Sequence, residues 1–430
     1  MVEIRAFPAL RYAPSLRAIS DQLVAPPYDV IGPAELQRLW DRSPYNAVRL
    51  ILPAGDLPAG QRDRGYFLAA ERLRQWKAEG VLVADGRPAL YYYRQQFRLA
   101  HGKSLSRQGF FALARLTEWN EGIYRHELTL PGPVSDRIRL LEECQANLSS
   151  IFGLYSDPTH EAAAIMAERA EGVPPAVEVV DDGGVAHALW VLDEPALVQR
   201  VTSLLRDRPI VVADGHHRYT AALEYRNRRR AEGQGGLAPW DYVLFYLTAL
   251  EDPGLVILPT HQVLHGLPGF AAERFVTAMQ SQFTVQELPA LTVLMEHLDR
   301  FATAPDVLLG AVAREGRYYL LQAPRPQTAL EDALDVAILR RWAVAPLLAD
   351  NGSAANVEAH LRYTHDAAEA AAWVTGGEAD VAFLLRPTPL DAVRTLALAH
   401  KVMPQKSTYF WPKVLSGLVI HDFAAWSPDA

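Results

Sequence analysis

The chain has 430 residues, half of them hydrophobic and 21% charged, with a formal net charge of -8, so it can bury one large core or two ordinary ones, and two domains are expected. This composition excludes a disordered chain and an indiscriminate nucleic-acid binder, and a lone cysteine, Cys144, excludes an internal disulfide framework and a multi-thiolate zinc site, reading instead as a small buried hydrophobe. Residues 1–6 lack the positive start and apolar run of a signal peptide and no later stretch stays apolar long enough to span a bilayer, so the expected location is cytoplasmic.

In chain order, a proline-fixed loop at 24–31 precedes an expected helix from Pro33 to about Asp41 and an expected strand over Asn46–Leu52. Amphipathic spacing predicts a helix over Arg64–Glu79, and two apolar runs, 89–97 and 109–115, face each other across a Gly-containing turn as a hairpin. A helix is expected from about Ser135 to Gln145, then strands near 150–155, 176–180 and 187–191, and a helix over Pro195–Leu205. The short apolar strand 209–213 stops at Asp214-Gly215, and helical spacing resumes from His216 to about Glu232. Residues 232–239 are the strongest linker candidate by composition, but the strand-like runs 242–249 and 254–258 continue the first sheet, which places the boundary near Leu264. Beyond it, helices alternate with strands such as 306–312 and 380–385. The expected domains are therefore 1–264, α/β, and 265–430, α+β.

The junction Ala213-Asp214-Gly215-His216-His217-Arg218 carries the most chemistry. Free N–H groups of a first helical turn point at an anion, Gly215 lets its oxygens approach the main chain, and Arg218 can add a charge-assisted bidentate contact. Asp214 is a candidate metal ligand or base; as the bland alternative it is a helix N-cap beside solvent-facing histidines. His126-Glu127 begins like a zinc-protease motif, but Leu130 stands where the second His is needed. Glu127 is then a general base or magnesium ligand with His126 as auxiliary, or a surface carboxylate. Asp136-Arg137 reads as a helix-start ion pair. Asp29, on the rigid Pro26-Pro27-Tyr28-Asp29 loop, either orients a substrate amine or metal or belongs to a loop that packs Tyr28 on the core. His261 ends an apolar strand and is either a site residue or a satisfied structural histidine, and Lys406 is either a phosphate-reaching ammonium or part of a polar turn. Gly102-Lys103-Ser104 and 233–238 mimic nucleotide-binding loops without the strand–turn–helix context, and the basic run 226–230 reads as a solvated helix face.

Residues 24–31, Arg125-His126-Glu127-Leu128-Thr129, Ala213 to Tyr219, Pro259-Thr260-His261 and Met403 to Phe410 occur in the order of the hallmarks of the family 1015 of domains of unknown function, and the chain is identified as a member on these residues. A shorter likeness bears on chemistry: Gly215-His216-His217-Arg218-Tyr219 is similar to the Gly-Cys-His-Arg-Tyr turn of sulfiredoxins, and Asp214-Gly215-His216 with Arg218 resembles the Asp-Gly-His-Thr-Arg turn of free-serine kinases, both of the ParB/sulfiredoxin superfamily. In those relatives the turn binds ATP or ADP phosphates. His216 replaces the sulfiredoxin cysteine, which points away from sulfinic-acid repair.

The resemblance implies a ParB/sulfiredoxin-like N-terminal domain closed by the C-terminal α+β domain, with the site in a cleft between them. It implies magnesium-assisted phosphoryl transfer between ATP/ADP and a small hydroxyl metabolite such as serine. Gly215, His216, His217 and Arg218 would hold the nucleotide, Asp214 and Glu127 would serve metal or base roles, His216 or His217 would stabilise transferring charge, and Asp29, His126, His261 and Lys406 would meet the substrate. The expected partners are the small molecule and the nucleotide, with no nucleic acid and no membrane; a homodimer stays open. A nucleotide-binding regulatory protein and a phosphatase of a small phosphorylated metabolite are the competing readings.

Overall fold

The computed structural model describes residues 2–55, 57, 60–99, 102–350 and 357–427; Met1 and residues 100 and 101 of the expected hairpin turn lie outside the described residues. The chain divides into two compact units, Met1–Val256 with Pro412–Ala430, and Ile257–Trp411. Each mixes helices and strands. Among the described residues no helix is long and apolar enough to cross a membrane.

In the first unit nine strands form one mixed sheet: β1 (Ile4–Arg5), β2 (Leu90–Arg98), β3 (Ser104–Arg115), β4 (Ile123–Tyr124), β5 (Ile151–Tyr155), β6 (Val177–Val180), β7 (Ala186–Leu192), β8 (Ile210–Asp214) and β9 (Tyr242–Ala249). Their order is β4-β8-β5-β9-β3-β2-β7-β6, with β1 on the end of β3. The expected hairpin is β2 with β3, pairing Tyr91 with Phe111. Ile210 to Ala213 are all buried, which is why β8 is a continuous apolar run instead of an alternating one: a strand covered on both faces has no solvent side to mark. The main helices are α1 (Pro33–Arg42), α2 (Arg62–Ala78), α3 (Pro131–Cys144), α4 (Pro195–Leu205) and α5 (His216–Ala231). One core packs Val212, Phe110 and Phe245 of the sheet with Val201 and Leu205 of α4 and Tyr219 and Leu223 of α5. A second gathers Trp40 of α1, Leu73 and Trp76 of α2 and Leu140 of α3. Between α3 and α5, Val134 and Ile138 meet Ala221, which fixes the start of α5 beside α3.

The strand expected over 46–52 is instead a short helix, Val48–Ile51. Asn46 decides this: its side-chain amide donates to the carbonyls of Gln22 and Val24, while its Oδ1 accepts the N–H of Val48 at 2.9 Å, which turns the chain into a helical start. The polar stretch 232–239 lies inside the first unit. The expected boundary at Leu264 falls within β10 (His261–Leu264), which pairs with residues 361–364 and 381–384 of the second sheet. The last residues return to the first unit, where Ser416 bridges Ala25, Ile420 bridges Leu10 and His421–Asp422 pairs with Ala146–Asn147.

The second unit holds an antiparallel six-stranded sheet of β10, β11 (Thr284–Leu288), β12 (Val307–Ala313), β13 (Arg317–Ala323), β14 (Leu361–Thr364) and β15 (Val381–Leu384), in the order β11-β13-β12-β15-β10-β14. Helices Leu291–Arg300 and Ala367–Thr375 bury Leu294, Leu298, Ala370 and Val374 on it.

Candidate functional site: a charged strand–glycine–helix turn

Strand β8 pairs Val212 with Gly153 but Asp214 with Phe152, so the register slips by one residue at its end. Such a bulge re-aims a side chain at the rim of a sheet, and here it presents Asp214. Gly215 follows with φ +94° and caps α5; a Cβ at this position would be strained and would sit 3.0 Å from the Arg218 guanidinium.

Asp214 accepts from Arg218 Nη2 at 2.8 Å on one oxygen and from Lys413 Nζ at 2.8 Å on the other. Arg218 Nη1 also donates to the Ser150 carbonyl. Burial alone would raise the Asp214 pKa, but the charges of Lys413 and Arg218 outweigh it and hold the carboxyl well below the usual carboxylate range. One acid therefore holds two cations at the N-terminus of a 16-residue helix, whose first N–H groups have no intrahelical acceptor and whose dipole is positive at that end. The local charge is net positive and its cations are fixed in place.

The loop carrying Glu127 docks on the first turn of α5. His126 and His216 meet edge to face with ring centroids 4.6 Å apart, and His217 Nε2 accepts the Leu130 N–H at 3.0 Å, which puts the proton of the neutral ring on Nδ1. Burial lowers the His126 pKa to about 4. For His216 burial, reinforced by His126, pushes it well below the ordinary histidine value. Both are neutral rings at physiological pH, so the charge-stabilising role expected of His216 cannot be that of an imidazolium.

The proline-fixed loop reaches the same region. Tyr28 lies under the Arg137 guanidinium, 4.1 Å from its ring centroid, and its phenol, raised to about 12 chiefly by burial and by Asp29, also senses Arg137, Arg218 and Asp214. Asp29 itself is exposed. The Asp136–Arg137 pair is present, inside α3 and not at its start; Asp136 also accepts from Tyr66 at 2.5 Å, and Arg137 donates to the Ile51 carbonyl. Arg137 lines two cavities of the first unit, one of about 490 Å³ walled by Tyr28, Leu36, Leu52, Tyr66 and Asp136, and one of about 50 Å³ that it shares with Arg218.

Residues 4–337 match the family described as Protein of unknown function (DUF1015). The chain belongs to the DUF1015 family. No curated protein matches it. Solved structures to which this DUF1015 chain is similar include a conserved hypothetical protein from Pyrococcus furiosus, at 12% identity over 74% of this chain and 97% of that one with a TM-score of 0.36. They also include a free serine kinase in complex with AMP, at 13% identity over 70% and 86% with a TM-score of 0.34, and SbnI with C-terminal truncation from Staphylococcus aureus, at 12% identity over 74% and 90% with a TM-score of 0.36.

The DUF1015 structure brings Tyr28, His126, Asp214, His216, His217, Arg218 and Lys413 into one region of the first unit. His261 and Lys406 belong to the second unit. His261 is buried and its Nδ1 accepts the Leu385 N–H at 3.1 Å, with burial lowering its pKa to about 4. Lys406 lines a cavity of the second unit. Sequence reasoning missed Lys413, 199 residues from Asp214, and set Arg137 aside as half of an ion pair. The basic run is largely the solvated face expected, with Arg228 and Arg230 exposed and paired with Glu142 and Asp241; Arg226 is the exception, buried and bonded to the Leu116 carbonyl and Glu118. Cys144 is buried, and burial raises its thiol to about 12, which leaves it an inert thiol.

Proposed function

We propose that the turn between β8 and α5 holds the phosphates of a nucleotide, ATP or ADP, and that the first unit moves a phosphoryl group between that nucleotide and a small hydroxyl metabolite. The observation that carries this reading is the pair of cations, Arg218 and Lys413, fixed on Asp214 at a glycine-capped helix N-terminus. Fixed donors and a helix dipole stabilise phosphate charge without reorganising when it develops. Serine as the acceptor, and a ParB/sulfiredoxin-like fold for the first unit, rest on the motif likeness of residues 214–219.

The chemistry of the donors reassigns some roles. Both Asp214 oxygens are engaged and its carboxyl is strongly acidic, so it is a positioning residue for Arg218 and Lys413 and a poor base. Magnesium on Asp214 would require that carboxylate to release Arg218 or Lys413, so Glu127 is the better placed of the two carboxylates for a metal held jointly with the nucleotide phosphates. Phosphate charge is then met by Arg218, Lys413 and the N–H groups of Gly215, His216 and His217. Glu127, carried by the loop that His126 and Leu130 tie to α5, takes the acceptor proton. Asp29, exposed on the loop that places Tyr28 on Arg137, is assigned to the acceptor.

Titration calorimetry of the full chain with ADP and ATP tests the site, and phosphorus NMR with L-serine tests the transfer. Arg218→Ala should weaken nucleotide binding by about a hundredfold, the loss of a charge-assisted contact of roughly 3 kcal/mol. A wild-type chain that binds neither nucleotide refutes the site; binding without O-phosphoserine formation reduces the protein to a nucleotide binder.

A further inference from the structure

The second unit contains a cavity of about 220 Å³ built entirely from its own residues, between 260 and 407. Its polar end is organised around Asp335, which accepts from Arg325 Nη2 at 2.7 Å and from Arg386 Nε at 2.9 Å. Two guanidiniums share one carboxylate, and the nearby Glu331 is paired with Lys401 at 3.2 Å, so the group keeps an excess positive charge. The arginines are held rigidly. Arg386, 6% exposed, spends its N–H groups on Asp335 and on the carbonyls of Phe301, Ala304 and Asp306. Arg325 has five N–H groups and bonds the Pro305, Ala333 and Asp306 carbonyls and Asp335, which leaves one N–H on Nη1 without a partner among the described residues.

An independent feature points into the same space. Thr260 is 5% exposed, lines the cavity, and its Oγ1 has no hydrogen-bond partner among the described residues. A buried hydroxyl left in this state costs on the order of 1–3 kcal/mol, which a bound polar ligand restores. The remaining wall is mostly alanine, leucine, valine and proline. The volume is below the ~300–1,000 Å³ of sites for drug-sized ligands, which limits an occupant to on the order of ten non-hydrogen atoms.

We propose that this cavity binds a small aliphatic carboxylate, its anionic oxygens in the field of Arg325 and Arg386 and a polar atom of its short body hydrogen-bonded to Thr260. The site is separate from the nucleotide turn and does not depend on it. The wall, which also carries Lys406, is mostly aliphatic and selects an anion with an apolar body over compact inorganic phosphate, which has no apolar surface to bury there.

The test is titration calorimetry of the full chain with L-lactate, pyruvate and 2-oxobutyrate, with inorganic phosphate as the competing anion. At least one carboxylate should bind with Kd near or below about 1 mM, and phosphate should not. Thr260→Val keeps the side-chain volume and removes only the unpartnered hydroxyl, so it should leave the melting temperature equal or higher and weaken that carboxylate about tenfold. Arg325→Gln should weaken it further. Arg218→Ala, in the first unit, should leave carboxylate binding unchanged, so failure here and failure of the nucleotide site are separately visible. No heat from any of the three carboxylates at about 10 mM, phosphate binding in their place, or a Thr260→Val protein that binds as wild type overturns the proposal.

Discussion

Replacing Asp214 with asparagine removes the carboxylate that Arg218 and Lys413 share while keeping the shape of the side chain. The Arg218, Asp214 and Lys413 side chains are 10%, 17% and 12% exposed, so water screens little of what is lost. At an effective dielectric of about 20, each 2.8 Å contact is worth roughly 6 kcal/mol before desolvation. Desolvation of the three groups offsets most of that sum, but removing one member leaves two cations close together without compensation, which costs about 3–5 kcal/mol. At about 2–4 °C per kcal/mol, the melting transition of the first unit should fall by roughly 6–20 °C in a calorimetric scan at pH 7. The double variant Asp214→Asn with Lys413→Met, which also removes one stranded cation, should recover at least half of the loss. The pH dependence has a definite sign. The Asp214 pKa is held below its unfolded value, so its stabilisation is complete above about pH 4 and is lost as pH falls toward the folded value; the asparagine variant should show a flatter acid limb. A single variant within about 1 kcal/mol of wild type, or a double variant no more stable than the single, would refute the argument that these charges form one buried unit.

Gly215→Ala should destabilise the first unit by about 1–2 kcal/mol, because it forces a side chain into φ +94° and against Arg218, and it should also weaken ADP binding; chemical denaturation and calorimetry check both. Lys413→Met should weaken ADP binding about tenfold whereas Lys406→Met should not, since only Lys413 bonds Asp214. His261→Leu should cost about 2 kcal/mol by stranding the buried Leu385 N–H, with nucleotide affinity unchanged, which separates a structural histidine from a site residue. His126 and His421 are buried with pKa values lowered to about 4; the unfolded chain therefore binds protons first, and stability should fall as pH drops from about 6.5 toward 4, by roughly 1–2 kcal/mol per histidine at pH 5. Denaturation curves at pH 7 and 5 for His126→Asn, which should show the smaller drop, test that sign.

Much of the architecture was legible because it is written in local periodicity. The apolar run 210–213 ending in Asp-Gly marked a strand, a turn and a helix, and the facing runs 89–97 and 109–115 marked a hairpin; both stand in the structure as β8 with α5 and β2 with β3. The DUF1015 membership was legible too, because its motifs are contiguous residues. What the sequence did not show was which groups are partners. Residues 46–52 read as an apolar strand, yet Asn46 bonds two carbonyls more than twenty residues away and accepts the N–H of Val48, the first residue of a short helix. His261 has the local signature of a site residue, and nothing in the sequence signals that its Nδ1 accepts the N–H of Leu385, just past the end of β15. Lys413 became part of the Asp214 turn only because the chain, after building the second unit, returns to the first at Pro412. Backbone propensity, turn chemistry and hydrophobic period act over a few residues, so the sequence by itself determined the elements and the glycine turn. The pairing of charges, the burial of a histidine and the pKa of a carboxylate depend on groups tens to hundreds of residues apart, so only tertiary packing decided which cations Asp214 holds and which candidate residues are core.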